Sequence, residues 1–217
     1  IKYRLLLLCW FFTTLSISAQ EFPQNEFHQG EIVLNDGSIL SGMIKYDLDA
    51  DVIFFQTSQN KAFLTYNVNQ FSSFKLFPFQ AEKPRIFYAL PFRNPSGYKR
   101  PKIFEAIYDD RVSLVGREYI VVKSRPISSG FYRRSIYDPF FDPNERLYTI
   151  RYLAYDLYIV DEDGEVKFLG KRRKDVLEAF KSHRSELKKY LKKEKLRMDK
   201  LNDIAQLVKY YNELVSL

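Results

Sequence analysis

Few residues in this chain could do chemistry. The two histidines, His28 and His183, stand in no metal-ligand spacing such as His-Glu-x-x-His, and the single cysteine, Cys9, is remote from both. A Ser-His-Asp triad would have to recruit one of these imidazoles, and no Gly-x-Ser-x-Gly elbow accompanies them. Paired carboxylates are the better option for acid–base work. Asp109 and Asp110, then Asp161, Glu162 and Asp163, are clustered enough to serve. All five fall at predicted turns, where Asp is favoured for its own hydrogen bonds to the backbone. The 161–164 stretch lacks the ligand series and distal Glu of a calcium loop. No glycine loop that would cradle phosphate is present, so no cofactor and no metal is expected.

Recognition chemistry is richer. Residues 123–146 read as an irregular loop punctuated by Pro126, Gly130, Pro139 and Pro143. It interleaves aromatic residues with arginines, the types enriched in binding hot spots. Arg125, Tyr132, Arg133, Arg134, Tyr137, Phe140 and Phe141 are the candidate partner-binding residues. The competing reading is an insertion whose rings cover a sheet edge. A glycan cleft is less favoured, because the one tryptophan, Trp10, lies in the N-terminal segment. A second candidate surface is basic: residues 171–174 (Lys-Arg-Arg-Lys), with Lys188, Lys189, Lys192 and Lys193. It could meet anionic lipid, polysaccharide or nucleic acid. The preferred reading is a solvated helix face, with Glu186 paired to Lys189 and Glu194 to Arg197 at i,i+3.

The elements that would position these groups are mostly strands. Asn35-Asp36-Gly37-Ser38 separates two apolar runs and supplies the positive-φ residue of a tight hairpin turn. Ile32, Leu34, Ile39 and Met43 are the expected buried set of that hairpin, and Gly42 is expected to mark a bulge or a bend. Residues 52–56 and 61–66 form a second predicted hairpin, 68–77 a strand, and 85–90 a short strand followed by a turn-rich loop at 91–101. Residues 102–122 form a hairpin around Asp109-Asp110, and 148–169 another around Asp161–Gly164. From residue 171 the period changes to three and four. Val176, Leu177, Phe180, Leu187, Tyr190 and Leu191 mark one helix, and Leu201, Ile204, Leu207, Val208, Tyr211 and Val215 a second. These predict a helical hairpin packed on the strands.

The chain opens as a secretory signal. Lys2 and Arg4 precede an apolar run at residues 5–15, and Ser16-Ile17-Ser18-Ala19 offers small residues for cleavage before Gln20. Leu8 precedes Cys9 where a lipoprotein signal has a small residue, so no lipid anchor is expected. The apolar run is too short to span a bilayer, and no later stretch replaces it. Charge is uneven. Residues 165–217 carry 15 Lys and Arg against 8 Asp and Glu, whereas residues 20–164 carry 17 against 19. The basic excess therefore belongs to the tail alone.

Three stretches carry a resemblance: Gly30-Glu-Ile-Val-Leu-Asn-Asp-Gly-Ser-Ile-Leu-Ser-Gly-Met-Ile, Phe104-Glu-Ala-Ile-Tyr-Asp-Asp-Arg-Val-Ser-Leu and Leu207-Val-Lys-Tyr-Tyr-Asn. In them the chain resembles uncharacterised exported β-rich proteins of Gram-negative bacteria. That resemblance implies an exported β domain with a helical C-terminus and brings no catalytic residue with it. The first hairpin alone is similar to small barrels of the Sm-like or PRC type, too short a match to imply RNA binding.

The expected organisation is a signal at 1–19, a leader at 20–29, a β-rich domain at 30–170 and a helical hairpin at 171–217. The fold class is α+β: mainly antiparallel β, as a meander or partly open barrel, with the C-terminal helical hairpin. The expected function is that of an exported, non-enzymatic interaction or structural protein, periplasmic, outer-membrane-associated or secreted. Its partner would be an envelope protein or an anionic envelope component, and export argues against nucleic acid. The alternative is a carboxylate-dependent hydrolase of cell-wall or glycan substrates.

Overall fold

The computed structural model describes residues 23–57, 63–77, 83–94, 96–126 and 147–216. The expected signal, and the loop residues Tyr132, Arg133, Arg134, Tyr137, Phe140 and Phe141, lie outside them.

Ten antiparallel strands make one sheet: β1 (His28–Leu34), β2 (Ile39–Asp47), β3 (Val52–Gln56), β4 (Leu64–Asn67), β5 (Phe71–Phe77), β6 (Arg85–Arg93), β7 (Lys99–Tyr108), β8 (Ser113–Pro126), β9 (Leu147–Val160) and β10 (Val166–Leu169). Their order is β10-β9-β8-β7-β6-β5-β1-β2-β3-β4. Three helices follow, α1 (Arg173–Ala179), α2 (Arg184–Lys193) and α3 (Leu201–Val215). The fold is therefore α+β, mainly antiparallel. The sheet is not closed into a barrel.

The sheet nonetheless cannot be flat. Residues 68–70 alone connect β4 to β5, and four residue steps reach at most about 14 Å. In a flat sheet those strands would lie four spacings apart, about 19 Å. The first five strands must roll, and the roll is fastened where the 35–38 turn meets the 68–70 connection: the Asn35 amide donates to Gln70 O at 3.2 Å and its Nδ2 to Asn69 O at 2.6 Å. Inside the roll sits an aromatic core of Tyr46, Phe55, Phe71, Phe74 and Phe87 with Ile32, Ile44 and Ile53. Phe74 and Phe87 stack at 4.5 Å. A second core, Phe104, Val115 and Val166 with Phe92 and Tyr158, fills the opposite face of the later strands. The third and largest core lies between that sheet and the helices.

Several local expectations change. Ile32 is buried, but Ile39 and Met43 are exposed. Val33 pairs with Ile39 and Ile32 with Leu40, so the inward residues of β2 are Leu40, Ile44 and Tyr46. A one-residue parity error reverses a whole strand. No register shift occurs at Gly42; it faces Gly30 across the ladder. A Cβ there would stand 2.5 Å from Gln56 O and 2.8 Å from the Phe55 ring, so close approach explains the glycine. The loop expected at 91–101 is shorter: residues 91–93 and 99–101 are ladder, with Pro91 opposite Pro101. Asn94 N donates to Tyr98 O, which by alternation places the two prolines in a non-hydrogen-bonded pair whose nitrogens point outward. The first tail helix is broken: α1 ends at Ala179, a 3-10 turn spans Lys181–His183, and α2 begins at Arg184. The hairpin of helices is α2 and α3. Ser182 approaches Tyr211 while Tyr190 meets Gln206 and Tyr210, so the two run antiparallel.

Candidate functional site

Strand β8 organises the polar chemistry. Its adjacent residues Arg117 and Glu118 point to opposite faces, and each ties the rolled half to the later strands. On one face, Glu118 is closed to solvent and accepts from Arg85 Nη2 at 2.8 Å, from Tyr155 OH at 3.1 Å, and from Tyr46 OH. Arg85 grips Glu105 through two bonds of 2.7 Å and donates to Tyr46 OH at 2.9 Å. Burial opposes the charge on Arg85, but Glu105, Tyr46 and Glu118 together outweigh it and hold the guanidinium above its usual range. Burial, reinforced by Glu118, pushes the Tyr46 phenol well up. Burial also raises Tyr155, with Glu105 and Glu118 adding to it. On the other face, Arg117 donates to Asp51 Oδ1 at 2.6 Å, to Ile103 O at 2.8 Å and to Leu48 O. Asp51 also accepts from Ile103 N at 3.0 Å. Both clusters are fully partnered. Among the described residues no buried side-chain nitrogen or oxygen lacks a hydrogen bond.

The carboxylates weighed for catalysis come to one end of the sheet, where Arg111 bridges their turns through Glu162 at 2.8 Å. Asp109, Asp110, Asp161 and Glu162 are already engaged. Asp109 accepts from Ser113 Oγ at 2.8 Å, and Asp110 from Tyr108 OH at 2.7 Å. Asp161 holds the Glu165 amide at 2.9 Å and pairs with Lys167. The Tyr108 hydroxyl lowers the pKa of Asp110, and Lys167 lowers that of Asp161. Gly164, at φ 76°, closes the second turn. His28 opens β1, while His183 lies edge-on to Tyr211 at 5.7 Å. No group of three or more His, Cys, Asp or Glu among the described residues is placed to hold a metal.

A groove of about 670 Å3 opens between β10, α1 and α3. Its apolar floor includes Val112, Ile159, Phe180 and Tyr211, and its rim carries Asp161, Lys167, Arg172 and Asp175. Arg172 and Asp175 are joined at 2.8 Å, so the rim charges are spent on one another.

The basic tail does not form one free patch. Lys171 reaches Asp156 at 3.2 Å and Tyr119 OH at 3.0 Å, and Arg172 is held by Asp175. Lys188, Lys189, Lys192 and Lys193 are exposed. The expected pair of Glu194 with Arg197 is replaced: Lys193 meets Glu194 at 3.6 Å, and Arg197 meets Asp199 at 2.5 Å.

The first residues of the expected loop at 123–146 are strand. Strand β8 continues through Pro126, and Arg125 pairs with Tyr148 of β9. Strand β7 pairs with β8 only as far as Gly116, and β10 with β9 only from Leu157. From Arg117 to Pro126, β8 therefore has β9 alone as ladder neighbour. The last seven of those pairs project as a two-stranded arm about 23 Å long. Leu153 and Tyr155, at the base of the arm, share a cleft with Met198, Leu201 and Ile204 at the start of α3. Farther out, Val122, Lys123, Thr149, Ile150 and Arg151 are exposed.

Sequence reasoning missed both polar clusters. Their one signal was Arg117-Glu118, a charged pair between the apolar runs at residues 114–115 and 119–122. In comparisons with known proteins, no family model, no curated protein and no solved structure matches the chain.

Proposed function

We propose that this is an exported, non-enzymatic interaction protein of the bacterial envelope, in which a rigid sheet carries a projecting binding arm. The observation behind this reading is the arm itself. Between residues 120–126 and 147–153 it bears Lys123, Arg125 and Arg151 and no acidic residue. It leads directly into the arginine- and aromatic-rich stretch that holds Tyr132, Arg133, Arg134, Tyr137, Phe140 and Phe141. The partner is then an anionic envelope component or an acidic face of an envelope protein.

The hydrolase alternative asks for a general acid with a raised pKa beside a substrate-accessible cleft. The best-juxtaposed carboxylates, Glu105 and Glu118, share Arg85, and the Glu118 side chain is 0% exposed. Asp161, on the groove rim, is shifted downward, away from a general acid. These observations favour the interaction reading.

The test is affinity capture from envelope fractions, run beside turnover of cell-wall and glycan substrates. Saturable capture without turnover is expected, and exported protein should begin near Gln20. Turnover that disappears in Asp161→Asn would replace this reading with the hydrolase.

A further inference from the structure

The arm has a feature that a protein partner does not explain. Val122 and Lys123 are consecutive in a strand, so they point to opposite faces. Val122 is paired with Arg151 on one face, and Lys123 with Ile150 on the other. These two rows of the arm thus each set one aliphatic side chain beside one cation, one row on either face. Val122 is 56% exposed and Ile150 39%. A folded partner covers one face of a ribbon and leaves the other in water. A medium that surrounds the ribbon covers both. An isolated two-stranded ribbon is also marginal in water, so the arm gains from being enclosed.

The charge settles which medium. Among the described residues no carboxylate pairs with Lys123 or Arg151. Lys123 lies over the Tyr152 ring at 5.2 Å, and at the arm's base Lys171 lies over Tyr119 at 5.4 Å. Aliphatic, tyrosine and cationic groups side by side match the layers of a bilayer interface: acyl boundary, headgroup level and phosphate. We propose that the β8–β9 arm is a membrane-docking device, seated in the headgroup region of a leaflet rich in anionic lipid. This rests on the interaction reading above and names its partner. The rigid base, held through Glu118, keeps the arm at a fixed angle while its outer pairs enter the interface.

The experiment is co-sedimentation of the protein with vesicles of phosphatidylcholine alone, or of phosphatidylcholine with phosphatidylglycerol. Binding to the anionic vesicles only, weakening with salt, is expected. Lys123→Glu with Arg151→Glu should weaken it by at least roughly thirtyfold, because each Lys or Arg near such a surface contributes about fivefold. Val122→Ser with Ile150→Ser should weaken it by about tenfold and leave its salt dependence in place. All four positions are exposed, and unchanged melting temperatures will show that the variants fold. As a second readout, Val122→Trp should shift its emission to the blue on anionic vesicles, measured against the unsubstituted protein. Equal binding to neutral vesicles, or binding indifferent to both double variants, overturns the proposal. Capture of an envelope protein or soluble polyanion with no vesicle binding also overturns it, while leaving the interaction reading intact.

Discussion

Glu118 takes donors from three different strands, and none of its neighbours can leave without stranding a charge or a hydroxyl. Removing one partner of a buried ion pair typically costs about 3–5 kcal/mol. Arg85→Ala should therefore lower unfolding stability by about that much, measured by urea denaturation, with Lys188→Ser as an unaffected control. A loss no greater than that of the control would mean that the network does not join the two parts of the sheet. The tyrosines give a pH test. Burial raises the phenols of Tyr46 and Tyr155 above their usual range. In the unfolded chain they ionise near pH 10. Their contribution is whole below about pH 10 and is lost as pH rises past it, because the unfolded state sheds those protons first. Urea midpoints should fall between pH 9 and 11.5, and the fall should be shallower in Tyr155→Phe. Equal slopes in the two proteins would place Tyr155 in solvent.

At the scale of elements, the turns were the most legible part of the sequence. The Asp36-Gly37 turn forms where expected, with Gly37 at φ 85° and open space where a Cβ would go. Conformation alone therefore decides substitutions there. Gly37→Val should cost about 1–3 kcal/mol and Ser38→Ala clearly less, read as melting temperatures. The tail faces were legible too. Phe180 and Leu207 are buried, while Lys188 and Lys192 are exposed. Phe180→Ala should cost about 3–5 kcal/mol, and the pair Lys188→Ser, Lys192→Ser should stay within about 0.5 kcal/mol each by the same measurement. What escaped the sequence was tertiary. The break at residues 180–183 preserves the apolar spacing, because Phe180 turns to meet the Tyr211 ring at 4.6 Å. Pro91 and Pro101 read as loop residues and sit in a ladder, because each lacks a second neighbouring strand there. Asn212, inconspicuous in its helix, accepts from Val112 N and donates to Val112 O, both at 2.8 Å, and so docks α3 on the start of β8. Periodicity reports which face is buried; it does not report what that face meets.

The whole molecule is one sheet with two loads: helices packed on one face, and an arm beyond the reach of β7 and β10. The candidate site was half legible. Arginine and aromatic residues between 123 and 146 drew attention to this stretch of the chain, but nothing in their spacing showed that strands would carry Lys123 and Arg151 outward first. Among the described residues no helix is long and apolar enough to cross a membrane. On the proposed reading the arm makes the contact with the envelope, because its described residues, 120–126 and 147–153, carry Lys123, Arg125 and Arg151 and no acidic residue. Hydrogen–deuterium exchange of the protein, free and bound to envelope material, tests this claim most directly. The arm account predicts new protection in peptides covering 119–126 and 147–153, with the amides of β1 to β5 unchanged. Protection confined to residues 166–180, around the groove beside α1, with none on the arm, would contradict it.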